Sequence, residues 1–158
     1  MERVCIGVGA NLGRAGETVA AAMDAIAGLE NTLGHHRSSL HRTAPVGLRD
    51  QPDFVNAACT FLTSLSPQEV LARLQALEDA FGRVRTVRWG PRTLDLDLLL
   101  HGDRVVDVPG LTVPHPRLHE RGFVLLPLRE IAPEARHPVL GRTVAELHAA
   151  WVAAGSPA

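Results

Sequence analysis

The stretch RVRTVRWGPRTLDLDLLL, residues 83–100, is the most informative part of the sequence, because it predicts both a strand of the sheet and a loop that binds a ligand. Its second half alternates leucine with aspartate, and the side chains of a β-strand alternate between two faces. One face is therefore predicted to carry leucines toward a core: Leu94, Leu96, Leu98 and Leu100. Asp95 and Asp97 then project together from the other face, with Cα atoms roughly 6.5–7 Å apart.

The first half of this stretch is a basic loop. It carries four arginines and Trp89, and Gly90-Pro91 excludes a continuous helix or central strand. Guanidinium groups bind phosphates bidentately and keep their charge. Mg²⁺ in turn takes one or two carboxylates together with phosphate oxygens. The loop and the paired aspartates thus predict a magnesium–polyphosphate site.

A purely structural explanation competes with this prediction, because leucine-in and aspartate-out is also the pattern of any half-solvated sheet. Aspartate, however, is a poor strand former, and neighbouring like charges on a sheet are unfavourable without a cation. The adjacent arginines favour the phosphate site.

Composition sets the broad class. The 158 residues, 46% hydrophobic and 21% charged, predict one domain over 1–158 with a real core. The net charge of −1 gives no support for a nucleic-acid or membrane partner. We also expect a monomer. All 16 basic residues are arginine, which excludes a P-loop lysine and Schiff-base chemistry.

The two cysteines, Cys5 and Cys59, are isolated among apolar residues and predict buried free thiols in a reducing compartment. No run approaches 18 apolar residues, and the N-terminus lacks a signal-peptide pattern. We therefore expect a cytoplasmic protein.

Periodicity and turn residues predict six main elements. They are strands at 3–8, 33–42, 54–65 and 94–100, and helices at 17–29 and from Ser66 to about Gly82. Ser66-Pro67-Gln68-Glu69 is a capping box with proline at the first helical position. A short buried helix or turn at 124–131 and a helix at 143–153 follow.

The order strand–helix–strand–strand–helix–strand is that of a split βαβ unit. It predicts an α+β, ferredoxin-like sandwich with an added C-terminal section. We expect an antiparallel sheet with helices packed on one face, leaving the other face to loops and ligand.

The chain also resembles a known family. The matching blocks are GANLG (9–13), TAPVGLRDQPDFVNAA (43–58), GRVRTVRWGPRTLDLDLLL (82–100), LTVPHPR (111–117) and RGFVLLPLREIAP (121–133). Together they resemble the hydroxymethyldihydropterin pyrophosphokinases of folate biosynthesis. The resemblance implies transfer of pyrophosphate from ATP to the hydroxymethyl group of a dihydropterin, with release of AMP and the participation of two Mg²⁺ ions.

The resemblance also implies roles for particular residues. Asp95 and Asp97 match the metal-binding pair, and Arg83 and Arg92 match catalytic arginines that close over the phosphates. The implied ATP-binding residues are Gln75, Glu78, Arg85, Arg88, Trp89, Leu98, Thr112, His115 and Arg121. The implied pterin-binding residues are Thr43, Val46, Phe54, Asn56 and Phe123. The pterin would lie between Phe54 and Phe123, with Asn56 at its amide edge.

Two other functions remain open from the residues alone. A ferredoxin-like domain with an arginine loop can be an RNA-binding or nucleotide-sensing module, but such modules need stacked aromatics and a basic surface. The second alternative is a different Mg²⁺-dependent nucleotidyl or phosphoryl transferase.

Overall fold

The structure is a computed structural model that describes residues 1–11, 13–43, 53–82 and 94–155. Its strands are β1 (Glu2–Ala10), β2 (Thr32–Arg37), β3 (His41–Thr43), β4 (Phe54–Thr63), β5 (Asp95–His101), β6 (Val106–Val108), β7 (Leu111–Val113), β8 (Arg136–His137) and β9 (Arg142–Thr143). Its helices are α1 (Ala15–Ala27), α2 (Pro67–Gly82), α3 (Gly122–Ile131) and α4 (Val144–Ala153), with a 3₁₀ turn at Leu118–Glu120.

The main sheet has the order β2-β4-β1-β5, and every described pairing in it is antiparallel. Strand β3 also pairs with β4, next to the end of β2. The two central strands, β1 and β4, are long and apolar, as expected for strands covered on both faces. The predicted α+β class with an antiparallel sheet is confirmed.

Helix α2 begins where the capping box predicted. The Glu69 N–H donates to Ser66 Oγ at 3.1 Å, and the Ser66 N–H donates to the Glu69 carboxylate at 3.0 Å. These reciprocal bonds satisfy two backbone donors that the first helical turn would otherwise leave open. Helix α4 begins with the same arrangement, between Thr143 and Glu146.

One face of the sheet forms the first core. Alternate residues of β1, such as Val4 and Ile6, pack there with apolar residues of β4 and β5. Helices α1 and α2 cover this face through residues such as Ile26 and Leu74, each about 1% exposed. The prediction that helices pack on one face is confirmed for these two helices.

The prediction that all helices pack on one face is wrong for α3 and α4, in the C-terminal part of the chain. They cover part of the opposite face, where Leu125, Leu128 and Leu147 pack with Cys5 and with sheet residues from β4 and β5. The physical reason is the sequence of α3, whose apolar stripe needs a partner. Only the remaining part of this second face is left for a ligand.

The predicted alternation of leucines along β5 holds through Leu98 and then fails. Leu96 and Leu98 lie in the first core, whereas Leu99 and Leu100 both lie in the second. The pairing of β5 with β1 shifts register between Cys5 and Ile6, so one residue of β5 is extra at that point. Such a bulge breaks the period of two, and the prediction that Leu100 faces the first core is wrong.

The predicted strand over residues 33–42 is two strands. Strand β2 ends at Arg37 and β3 begins at His41. Between them, Ser38 donates its N–H to the Ala58 carbonyl at 2.9 Å, and its Oγ accepts the Ala58 N–H at 2.8 Å. Its hydroxyl also donates to the Ser39 carbonyl, so Ser38 pairs with β4 through its side chain as well as its backbone.

Both cysteines are free and buried, as predicted. Burial raises the pKa of each thiol to about 12, so neither Cys5 nor Cys59 is a ready nucleophile. No helix among the described residues has the length and apolar character needed to cross a membrane.

Candidate active site

The open part of the second sheet face is built around two glycines of β1, with polar residues on both sides of one and on one side of the other. Gly9 of β1 pairs with Asn56 of β4 and with Asp95 of β5. Gly7, two residues earlier, pairs with Asp97 of β5. Residues directly opposite in a sheet share a face, so both aspartates and the asparagine point to one side. The glycines leave that side without side-chain bulk along its centre.

Gly9 is in close contact with Asn56. A Cβ built at Gly9 would lie 2.7 Å from Asn56 Oδ1, which is closer than real contacts allow. The amide of Asn56 therefore lies across the bare backbone of Gly9. The strand glycine leaves room for the amide in this position, and glycine inside a strand often marks such a close approach.

The aspartate pair lies where the sequence predicted. Asp95 is exposed and Asp97 is half-buried, with 40% of its side chain exposed. Between them, the Leu96 N–H donates to a carboxylate oxygen of Glu78 at 2.8 Å. Because β5 pairs only with β1 among the described residues, this bond from α2 gives a second support to the backbone that carries both aspartates.

His115 lies next to this pair. Its backbone N–H donates to the Leu99 carbonyl at 2.9 Å, which ties it to β5. Its Nδ1 accepts the Arg117 N–H at 3.2 Å, so the proton of the neutral ring is on Nε2, 3.9 Å from Asp97 Oδ1. Burial lowers the pKa of His115, opposed by the Asp97 charge and aided by Arg121 and Arg117. The ring therefore presents a neutral N–H donor to the site.

Phe123 stands at the start of α3 and is 42% exposed. The Arg121 guanidinium carbon lies 5.6 Å from the centre of its ring, within range of a cation–π contact. The preceding residue, Gly122, lies against Trp151 of α4, where a Cβ would come within 2.1 Å of the indole. The glycine lets α3 begin close to α4 and so sets the position of Phe123.

Phe54 opens β4 and is 37% exposed, so one part of its ring is accessible to a ligand. It pairs with Thr43 of β3, and Asn56 pairs with His41 in the same two strands. Residues 54 and 56 share a face of β4. Phe54 and Asn56 therefore project on the same side as the aspartates, as the predicted pterin site requires.

The remaining predicted residues divide into three groups. Gln75 and Thr112 are exposed and Arg121 is half-buried. The side chain of Leu98 is buried in the first core and faces away from the aspartates, so only its backbone can meet a ligand on their side. The residues that lie outside the described parts of the chain are Val46, Arg83, Arg85, Arg88, Trp89 and Arg92.

Sequence reasoning missed the role of Gly7 and Gly9 as the floor of the site. The available signal was two glycines spaced by two in an apolar strand, since such glycines mark a close approach of another group. It also missed the contact of Glu78 with the β5 backbone, for which no local pattern exists. Within the described residues, no group of three or more His, Cys, Asp or Glu side chains is arranged to hold a metal.

Comparisons with known proteins identify the family of the chain. A 2-amino-4-hydroxy-6-hydroxymethyldihydropteridine pyrophosphokinase from Pseudomonas aeruginosa is 46% identical over 150 residues, covering 95% of this chain and 92% of that protein. The enzyme of the same name from Haemophilus influenzae is 47% identical over 127 residues, covering 80% of this chain and 79% of that protein.

Among solved structures, wild-type HPPK-DHPS from Plasmodium falciparum matches with a TM-score of 0.72 at 15% identity. The match covers 96% of this chain and 41% of that longer one, and at this identity it supports the fold alone. The model of the 7,8-dihydro-6-hydroxymethylpterin-pyrophosphokinase (HPPK) family matches residues 5–133. The chain belongs to this family.

Proposed function

We propose that this chain transfers the terminal pyrophosphoryl group of ATP to the hydroxymethyl group of 6-hydroxymethyl-7,8-dihydropterin in folate biosynthesis. The observation that carries the proposal is the row formed by Asn56, Gly9 and Asp95 across three strands. It brings a group suited to reading a heterocycle next to a carboxylate suited to a metal–phosphate complex. Family membership supports the same reaction.

The pterin is proposed to bind between Phe54 and Phe123. Both rings are more than one-third exposed, and they stand on different elements, β4 and α3. A planar heterocycle between them would bury apolar ring surface, and the Asn56 amide can both donate to and accept from its amide edge. Thr43 and Val46 complete the proposed pocket.

Asp95 and Asp97 are proposed to hold two Mg²⁺ ions. The donor set fits this hard cation, because carboxylates are its usual protein ligands. Two carboxylates suffice for it, since Mg²⁺ takes phosphate oxygens and water for its other ligands. When bound, the ions neutralise the developing charge on the phosphates.

The proposed reaction is a nucleophilic displacement at the β-phosphorus of ATP. The hydroxymethyl oxygen forms a bond to that phosphorus and gives up its proton to water. The bond from phosphorus to the oxygen shared with the α-phosphate breaks, and AMP leaves with that oxygen. The chain's own contribution is positioning and charge stabilisation, as in other phosphoryl transfers. His115 supplies a neutral N–H donor beside Asp97.

Further residues are proposed from the family match. Arg83 and Arg92 are the proposed catalytic arginines, which stabilise charge on the transferred group. The proposed ATP-binding residues are Gln75, Glu78, Arg85, Arg88, Trp89, Leu98, Thr112, His115 and Arg121.

We also propose the finer description of the fold as a ferredoxin-like sandwich, which the sheet order β2-β4-β1-β5 supports. A monomer in the cytoplasm completes the proposal, and the two free buried thiols fit a reducing compartment.

An assay of AMP formation tests the function. The purified protein with ATP, Mg²⁺ and 6-hydroxymethyl-7,8-dihydropterin should release AMP in an amount equal to the pterin consumed. The 6-methyl analogue, which lacks the attacking oxygen, should give no AMP. Release of ADP, or AMP formation that is independent of the pterin, would show a different transferase.

A further inference from the structure

We propose that Glu130 is a positioning residue for the pterin site, acting through Ser39 and His41. The three residues are called the Glu130 clasp below. The proposal rests on the proposed function, because it assigns Glu130 a part in holding the dihydropterin pocket. Neither the aspartates nor the phosphates are involved.

The clasp is a set of three contacts to one carboxylate. The Ser39 N–H donates to Oε2 of Glu130 at 2.8 Å, and the Ser39 hydroxyl donates to Oε1 at 2.8 Å. Nε2 of His41 lies 3.0 Å from the same Oε1. Hydrogen bonds to an ionised acceptor are stronger than neutral ones, and these bonds lower the pKa of Glu130, that from His41 most of all.

The strand that the clasp holds is otherwise tied down by its pairing with β4 and by the two bonds of Ser38 to Ala58 just before it. Strand β3 has three residues, and among the described parts of the chain it pairs with β4 alone. It is also separated from β2 by the break at residues 38–40. A short strand paired on one side is among the elements that open most readily, so a carboxylate that bridges it to a helix adds to its order.

The clasp lies in the same row of the sheet as the proposed site. His41 pairs with Asn56, which pairs with Gly9, which pairs with Asp95. Two residues further along β3, Thr43 pairs with Phe54. A shift of β3 would therefore reach the two β4 residues proposed to bind the pterin.

The clasp also joins the two walls of the proposed pterin slot. One wall is Phe54 on β4, and the other is Phe123 on α3. Glu130 is seven residues after Phe123 on the same helix, about two turns or roughly 10 Å along its axis. The packing of Leu125 and Leu128 on the sheet already holds α3 against β4. Glu130 adds a second tie, from α3 to β3, and so helps to preorganise the slot, which improves ligand affinity.

The test compares Glu130→Ala with a matched control, Glu134→Ala. Glu134 makes an ion pair with Arg3 of β1 and so also joins the layer of α3 to the sheet, away from β3. Glu130→Ala should raise KM for the dihydropterin about tenfold, with kcat and KM for ATP within about twofold of wild type. Glu134→Ala should leave all three within about twofold.

Hydrogen exchange provides a readout that does not depend on catalysis. In Glu130→Ala, amides of residues 38–43 should exchange at least about fivefold faster than in the wild type, and in Glu134→Ala they should not. Ser39→Ala removes one of the three contacts, so it should give a smaller change in the same direction. This variant decides the question if Glu130→Ala does not fold.

Three results would overturn the role proposed for the Glu130 clasp. They are an unchanged KM for the pterin in the folded variants, a fall in kcat without a change in that KM, or unchanged hydrogen exchange at residues 38–43. If the wild-type protein forms no AMP from ATP and the dihydropterin, the proposed function fails instead. The exchange measurement then still confirms or overturns the effect of Glu130 on β3.

Discussion

Replacing Gly9 with alanine tests whether the sheet floor orients the pterin-reading amide. The new Cβ would lie 2.7 Å from Asn56 Oδ1, 3.8 Å from its Cγ and 3.9 Å from the Val55 carbonyl oxygen. Only the first distance is too short, and it involves the far end of a side chain. The amide should therefore rotate away while the backbone of both strands stays in place.

The two consequences of this rotation have different sizes. A side chain forced off its rotamer costs about 0.5–1.5 kcal/mol, and the loss of glycine flexibility in the unfolded chain returns about 0.4–1 kcal/mol, so global stability should change little. Pterin binding should lose the hydrogen bonds of the Asn56 amide. Leaving a buried ligand group unpaired costs about 1–3 kcal/mol, or roughly fivefold to 150-fold in affinity.

Calorimetric titration of the dihydropterin, with Mg²⁺ and a non-hydrolysable ATP analogue present, measures this effect. Gly7→Ala is the matched control, because its Cβ would point to the same face and meet Leu99 at an ordinary 3.5 Å. Gly9→Ala should weaken pterin binding much more than Gly7→Ala. Wild-type affinity in folded Gly9→Ala, or equal weakening by both variants, would refute the role assigned to Gly9.

Three further predictions follow from individual contacts. Asp97→Ala should lose more than nine-tenths of turnover at saturating Mg²⁺, a deficit above about 1.4 kcal/mol, with an unchanged melting temperature; retention of more than a tenth of the rate would contradict the metal assignment. Gly122→Ala should lower the free energy of unfolding by about 1–3 kcal/mol, because its Cβ would come within 2.1 Å of Trp151. Urea denaturation measures this change. An unchanged midpoint would show that α3 can move away from α4 without a loss of stability. Hydrogen bonding, first from His41, lowers the pKa of Glu130, so its contribution to stability is complete above the carboxyl's unfolded pKa and is lost as the pH falls through the lowered value. The difference in free energy of unfolding between wild type and Glu130→Gln should therefore shrink as the pH falls from about 5 to about 3. A difference that widens over this range would contradict the stabilising role of the ionised carboxylate.

The parts of the fold that sequence predicted are those that local patterns encode. The capping box at Ser66 located the start of α2, and the alternation of residues 94–98 placed both aspartates on one face of β5. Each of these signals depends on neighbouring residues, so a single sequence contains it in full.

The parts that sequence missed depend on distant residues. The bulge places the side chain of Leu100 in the second core. It arises where β5 pairs with β1, almost a hundred positions earlier in the chain. Glu130 meets Ser39 across 91 positions, and nothing local to either residue indicates the contact. The covering of the second face by α3 and α4 likewise follows from packing that no short window contains.

ATP and the pterin are proposed to meet on the open part of the second sheet face. The most direct test is a crystal structure with Mg²⁺, a non-hydrolysable ATP analogue and 6-hydroxymethyl-7,8-dihydropterin. We expect the heterocycle to lie between Phe54 and Phe123 with its amide edge at Asn56. The phosphates should lie beside Asp95 and Asp97. Phosphates bound away from the two carboxylates, or a pterin outside the aromatic pair, would contradict this proposal.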